Sequence, residues 1–293
     1  MTIDIPALLV SATLLAGLYA TMSYGLALIY GVMKIVNLAH AGVMMWGAYA
    51  AFVLIVNAGL NSFLAPLFIV PAFFFLGMFM ERYIVRRVMF APPISSLLLL
   101  FGIWLIMQNI SYLGFTGDTR AITTKYTLMT FQVFGMAISI NRLVVFCVGI
   151  LTLLVLRQFL EHTYMGKAIR ATAQDGEAGK LVGINTDRVM EIAFGLGTAL
   201  AGLAGSLMAL IFAFDPDFGR SHLLKSFCIV VLGGLESIVG VALGSLVLAI
   251  AEALSVLWIM PALQDFVSFA LLVIVLVAMP GGMVGLLAKF KKA

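Results

Sequence analysis

Residues 7–30 read ALLVSATLLAGLYATMSYGLALIY, a run without a single Asp, Glu, Lys, Arg or His. A bilayer core about 30 Å thick asks for about 20 apolar residues per helical crossing, so this run is long enough to span. Only Met1, Thr2, Ile3, Asp4, Ile5 and Pro6 precede it, none of them basic. A cleaved signal needs a positive leading region and a shorter apolar core, so the run reads as an uncleaved first span.

Working outward, comparable apolar runs fall at Ala41–Ala58, Leu64–Met80, Ile94–Phe115, Ser139–Leu160, Val189–Ala213, Leu223–Val239, Val241–Trp258 and Phe266–Met279, nine in all. Backbone groups in hydrocarbon must be satisfied internally, and runs this long and lipophilic do that as helices rather than as alternating barrel strands. The expected fold is all-α, a polytopic transmembrane helical bundle of about 8–10 spans. One domain fills residues 1–293. The run of residues 223–258 is short for two full crossings and holds Gly233, Gly234, Gly240 and Gly244, so short or broken helices are expected there. Irregular backbone at membrane depth survives only when buried or lining a cavity, which makes this stretch a candidate pathway wall.

The composition agrees. Of 293 residues, 63% are hydrophobic and 10% charged, with a mean hydropathy of +1.16. That excludes a water-soluble enzyme and leaves no room for a soluble catalytic domain. The net charge of +4 reads as membrane topology rather than as nucleic-acid binding. With the N-terminus placed outside, twelve of the 17 Lys and Arg fall on the inner side: Lys34, Arg82, Arg86, Arg87, Arg157, Lys167, Arg170, Lys180, Arg188, Lys289, Lys291 and Lys292. Cytoplasmic loops carry that excess, so the chain is expected to start outside and end in the cytoplasm. Cys147 and Cys228 stand singly in apolar runs and give no disulfide or CxxC signal.

Two loops stand out. Residues 116–138 are polar at first and then alternate through Phe131, Val133 and Ile138, the period of a small hairpin on the outer surface. Residues 161–188 form the longest polar stretch. Small or apolar residues recur there at Ile169, Ala173, Leu181 and Ile184, and Gly183 sits where a helix would stop. A short amphipathic helix in water fits, and it needs a partner surface. An ordinary solvated loop fits the same spacing.

Four stretches carry a resemblance. They are YGLALIYGVMKIVNLAHAGVMMWGAYAA (Tyr24–Ala51), GKAIRATAQDGEAGKLVGIN (Gly166–Asn185), AFGLGTALAGLAGSL (Ala193–Leu207) and VLGGLESIVGVALGS (Val231–Ser245). Together they resemble the permease subunits of branched-chain amino-acid ABC importers, of the H type in the Liv system. The Gly166–Asn185 stretch is similar to the loop that such permeases insert into their ATPase subunits. It lacks the Glu-Ala-Ala triplet of many other ABC importers, and Gly176 and Gly179 each cost about 1 kcal/mol of helix propensity against alanine. The resemblance implies a transport subunit in a prokaryotic inner membrane, with ATP hydrolysed by two separate subunits. It also implies a second permease as heterodimer partner, a periplasmic or lipid-anchored binding protein, and an amino-acid cargo. On that reading Arg170, Ala173, Asp175, Ala178 and Gly183 belong to the ATPase-coupling loop.

The chain has no phosphate-binding loop of its own, because Gln174 and Leu181 stand where GxxxxGK followed by Ser or Thr requires Gly and a hydroxyl. His40, His162 and His222 lie far apart with no metal-ligand spacing, so neither a metal nor a cofactor is expected. Ionisable groups at membrane depth usually face a cavity or a partner, which singles out Glu236 and Glu252 for the pathway or for an internal pair. Asn37 and His40 sit in the break between the first two spans. Asn37 is expected to cap the following helix, with a gate or substrate contact as the sharper alternative. Gln108 and Asn109 read as interhelical hydrogen-bond partners. Gly17 with Thr21 and Gly25, Ala201 with Gly205, and Gly240 with Gly244 read as close helix packing. Two other cargo or energy readings remain: a related ABC permease for urea or short amides, and an ion-coupled secondary transporter using Glu236 and Glu252. An intramembrane enzyme has little support, since no Ser/His, paired Asp or HExxH arrangement appears in the spans.

Overall fold

The computed structural model describes residues 5–89, 91–127, 129–133, 136–235, 237–257, 264–278 and 282–283. Eleven α-helices and one hairpin follow in chain order. α1 (Ile5–Met33) is followed by α2 (Ala39–Phe52, prolonged by a π turn over Val53–Asn57), α3 (Ala65–Tyr83) and α4 (Pro93–Phe115). Strands β1 (Thr130–Val133) and β2 (Met136–Ser139) pair antiparallel, Phe131 facing Ile138. Then come α5 (Ile140–His162), α6 (Tyr164–Gln174), α7 (Gly176–Leu181), α8 (Thr186–Met208), α9 (Gly219–Gly233), α10 (Ile238–Ser255) and α11 (Gln264–Ala278).

Among the described residues, seven of these elements are long and apolar enough to cross a membrane: α1, α2, α3, α4, α5, α8 and α10. Helices α9 and α11 have 15 residues each, about 22 Å at 1.5 Å per residue, short of a full hydrocarbon core. The break expected within 223–258 falls at Gly234, whose φ of 104° closes α9. The chain doubles back there, and a Cβ on Gly233 would strike the Gly240 carbonyl of α10. Of the outer helices, α5 carries exposed Leu151, Leu154 and Val155, and α4 carries Leu98, Ile106 and Leu113. Such faces are a liability in water and the ordinary state in hydrocarbon.

Helix α8 is the axis of the bundle, buried along most of its length. Its sequence spaces small residues so that two neighbours, α1 and α2, approach backbone to backbone at three places. Gly197 meets Gly25 of α1, Gly202 meets Gly47 of α2, and Gly205 meets the Met44 carbonyl of α2. A Cβ at Gly205 would lie inside the contact distance of that carbonyl. Lipid tails offer no hydrophobic drive between helices, so close van der Waals packing of this kind supplies the association. Gly77 of α3 closes on the Thr198 side chain and the Gly195 backbone of α8.

The two ends of the bundle are distinguishable by what they tie together. At one end, Arg120 and Phe214 exchange both backbone hydrogen bonds at 2.8 Å. The Asn141 amide there donates to the Leu210 carbonyl at 2.9 Å, and Tyr112 donates to Asp217 at 2.9 Å. This end gathers the hairpin, the starts of α5 and α9, and the ends of α4 and α8. At the other end, Arg86 donates to the Asp187 carbonyl at 3.1 Å and pairs with Glu81 at 2.5 Å and Glu191 at 3.3 Å. Those contacts hold α3 to the start of α8, beside α6 and α7.

The helical elbow and the intramembrane polar clusters

The polar loop after α5 folds as two helices, where the spacing had suggested one. Thr163 caps α6 by accepting from the Gly166 amide at 2.9 Å. Asp175, with extended backbone, ends α6 and caps α7, its Oδ1 accepting from the Glu177 and Ala178 amides at 3.0 Å each. The continuous amphipathic period hides this elbow. An Asp followed by Gly, Glu and Ala is nevertheless the composition of a helix start. Gly183 takes a φ of 85° just beyond α7, and its amide and that of Ile184 return to the Lys180 and Gly179 carbonyls at 3.0 Å. This left-handed stop suits glycine and secures the last turn.

One side of the elbow is fixed to the bundle. Ala168, Ile169 and Thr172 of α6 are buried, as is Gly179 of α7, and α6 packs against α5, α8 and α1. The other side is open. Arg170, Asp175, Ala178 and Gly183 are exposed and Ala173 is half-buried. Leu181 and Val182 stand out with 89% and 77% exposure. Leu181 therefore lies on the free face, not on the packing face that its spacing suggested. Glu177 accepts from Lys180 at 2.9 Å and holds that ammonium above the usual lysine range.

Of the intramembrane candidates, Glu252 is the most connected. It accepts from Tyr19 of α1 at 2.5 Å and from Ser268 of α11, and it pairs with Lys225 of α9 at 3.1 Å. Four helices meet on one carboxylate. Lys225 falls inside the apolar run Leu223–Val239, and its partner lies 27 residues away on another helix, so no linear pattern joins them. Glu236 lies outside the described residues.

His40 is fully buried, its Nε2 against the Met22 carbonyl at 2.8 Å. Its Nδ1 and the Asn37 Oδ1 have no hydrogen-bond partner. The expected Asn37 cap does not form, because Leu38 is the residue that precedes α2 and no side chain caps it. Gln108 reaches Asp217 at 2.5 Å in the loop after α8. Asn109 instead bonds within its own helix, to the Leu105 carbonyl at 2.7 Å. Among the described residues no group of three or more His, Cys, Asp or Glu is placed to hold a metal.

Comparison with known proteins converges on one description. Residues 8–276 match the family described as branched-chain amino acid transport system, permease component. The high-affinity branched-chain amino acid transport system permease protein LivH of Salmonella typhimurium is 32% identical over 289 residues, covering 92% of each chain. The corresponding protein BraD of Pseudomonas aeruginosa is 30% identical over 94% of each. A fructose import permease protein of Rhizobium meliloti is 29% identical over 57% of this chain and 48% of its own. No solved structure matches.

Proposed function

Because this chain belongs to the family of branched-chain amino acid permease components, we propose that it is the membrane subunit of an ABC importer whose cargo is a branched-chain or related amino acid. It works with a second permease, two ATPase subunits and a periplasmic or lipid-anchored binding protein. The whole chain acts as one permease domain. Its start lies outside and its end in the cytoplasm, as the placement of basic residues favours.

The observation that carries this reading is the elbow of α6 and α7. It is anchored on one side to three spanning helices and offers an exposed Leu181 and Val182 on the other. A rigid lever with an apolar tip is what a nucleotide-driven partner needs to push on. Arg170 and Ala173 lie on the α6 arm of that lever, Asp175 and Gly183 fix the two ends of α7, and Ala178 lies on its open face. Closure of the ATPases moves the elbow, and rigid-body rocking of α5 and α8 exposes the pathway to each side in turn. Asn37, His40 and Glu252 are the described residues proposed for that pathway, and Glu236 is proposed with them on the sequence alone.

Co-expression with candidate ATPases, pull-down, and amino-acid-stimulated hydrolysis in liposomes tests the assignment. Stimulation by leucine that requires both this chain and the binding protein is the expected result. Uptake by this chain alone, abolished by a protonophore and indifferent to ATP, overturns it.

A further inference from the structure

The end of the bundle opposite the elbow holds a cavity of about 440 Å³ beneath the β1–β2 hairpin, between the starts of α1 and α5 and the end of α8. Its chemistry is divided. Val10 and Leu14 of α1, with Leu210 and Ile211 after α8, form an aliphatic wall. Ser11, Thr130 and Ser139 set hydroxyls around the rest, and Arg142 stands at the rim. No described Asp or Glu lines the cavity, and none pairs with Arg142.

Three features give the Arg142 side a positive, prepared character. Arg142 lies in the first turn of α5, where Ser139 makes no side-chain cap and the Ile140 amide donates to the Met129 carbonyl at 3.1 Å, so the Asn141 and Arg142 amides are the ones left to face an anion. The adjacent Asn141 is buried, and its amide is tied to the Leu210 carbonyl at 2.9 Å. That bond fixes the start of α5 against the end of α8, which are the two sides of the cavity. The guanidinium is suited to a carboxylate by its planar donor set.

We propose that this cavity is an entry subsite for an aliphatic α-amino acid, its carboxylate held by Arg142 and the α5 amino end and its side chain laid against Val10, Leu14 and Ile211. This rests on the amino-acid reading of the cargo. The ammonium meets only neutral side-chain acceptors among the described lining residues, the hydroxyls and the Asn141 Oδ1 that has no hydrogen-bond partner, so the site selects on the carboxylate and the aliphatic group. A deaminated analogue therefore competes, and a decarboxylated one does not.

The test is binding of labelled leucine to the complete transporter in nanodiscs without its binding protein, with uptake of leucine measured in parallel. Arg142→Gln weakens binding by about tenfold or more, the scale of a lost charge-assisted contact, and Arg142→Lys restores part of it. For the unaltered transporter, 4-methylpentanoate displaces leucine and 3-methylbutylamine does not. Equal leucine binding in Arg142→Gln, or displacement by the amine but not the acid, overturns the proposal. So does a cavity that loses only a co-purified phospholipid, by native mass spectrometry, when Arg142 is changed. Leucine uptake that persists in these cases leaves the importer reading standing. Absent uptake with any amino acid removes that reading instead.

Discussion

Replacing Asp175 by Lys isolates the elbow from the rest of the molecule. The exposed Asp175 carboxylate accepts two amide hydrogen bonds at the start of α7, and loss of such a cap costs about 1 kcal/mol. A cation at the positive end of a helix adds about 0.3–1 kcal/mol of repulsion. The sum, about 1.3–2 kcal/mol, acts on a helix of six residues that already carries Gly176 and Gly179. It lowers the folded-to-frayed ratio of α7 by about 10- to 30-fold. The spanning helices are untouched, because among the described residues the Asp175 carboxylate bonds only to amides of α7. Hydrogen exchange over 176–184 should accelerate by that factor while the thermal midpoint of the complex in detergent stays put. Coupled uptake should fall and partner ATPase activity lose its dependence on cargo. Asp175→Asn keeps the cap, since Asn serves that position as well as Asp, and should restore both. Unchanged exchange with full coupling in Asp175→Lys, or failure of Asp175→Asn to rescue, refutes the lever.

Three further outcomes follow from the packing. Gly205→Val drives a side chain into the Met44 carbonyl of α2 and should lower stability by about 3 kcal/mol or abolish folded yield in size-exclusion profiles. Gly31→Ala, where nothing lies within 4 Å of the added carbon, should leave them unchanged. Glu252→Ala removes the carboxylate that pairs with Lys225, in a pair whose side-chain exposures are only 12% and 5%, and should cost about 3–5 kcal/mol, whereas Lys225→Met with Glu252→Leu should recover most of it by thermal denaturation. Leu181→Glu keeps both caps of α7 intact while charging its apolar tip, so it should reduce capture of the ATPase in pull-downs without altering exchange over 176–184.

The sequence made the membrane helices visible because hydrocarbon imposes one rule on every residue of a span. α1 and α8 follow directly from their uncharged length, and the α9–α10 break follows from paired glycines that only a positive φ and close approach require. The elbow was half visible: its position followed from polarity, but its division at Asp175 did not, since a capping residue and a mid-helix polar residue occupy the same place in an amphipathic period. What brings Tyr19, Lys225, Glu252 and Ser268 together is the packing of four helices, and Glu191 likewise joins the Glu81–Arg86 pair only through the α3–α8 crossing. No local pattern encodes either cluster. The cavity under the hairpin was hidden for the same reason, its walls coming from four separated segments.

The side of the membrane on which α7 lies bears most directly on the account, and Lys180→Cys in a background lacking Cys147 and Cys228 reads it. Lys180 is exposed and at the open face of the elbow, so a membrane-impermeant maleimide should label it in everted vesicles and spare it in intact spheroplasts, with protection when the ATPase subunits are bound. Labelling in intact spheroplasts places the elbow outside, away from any ATPase, and contradicts the mechanism.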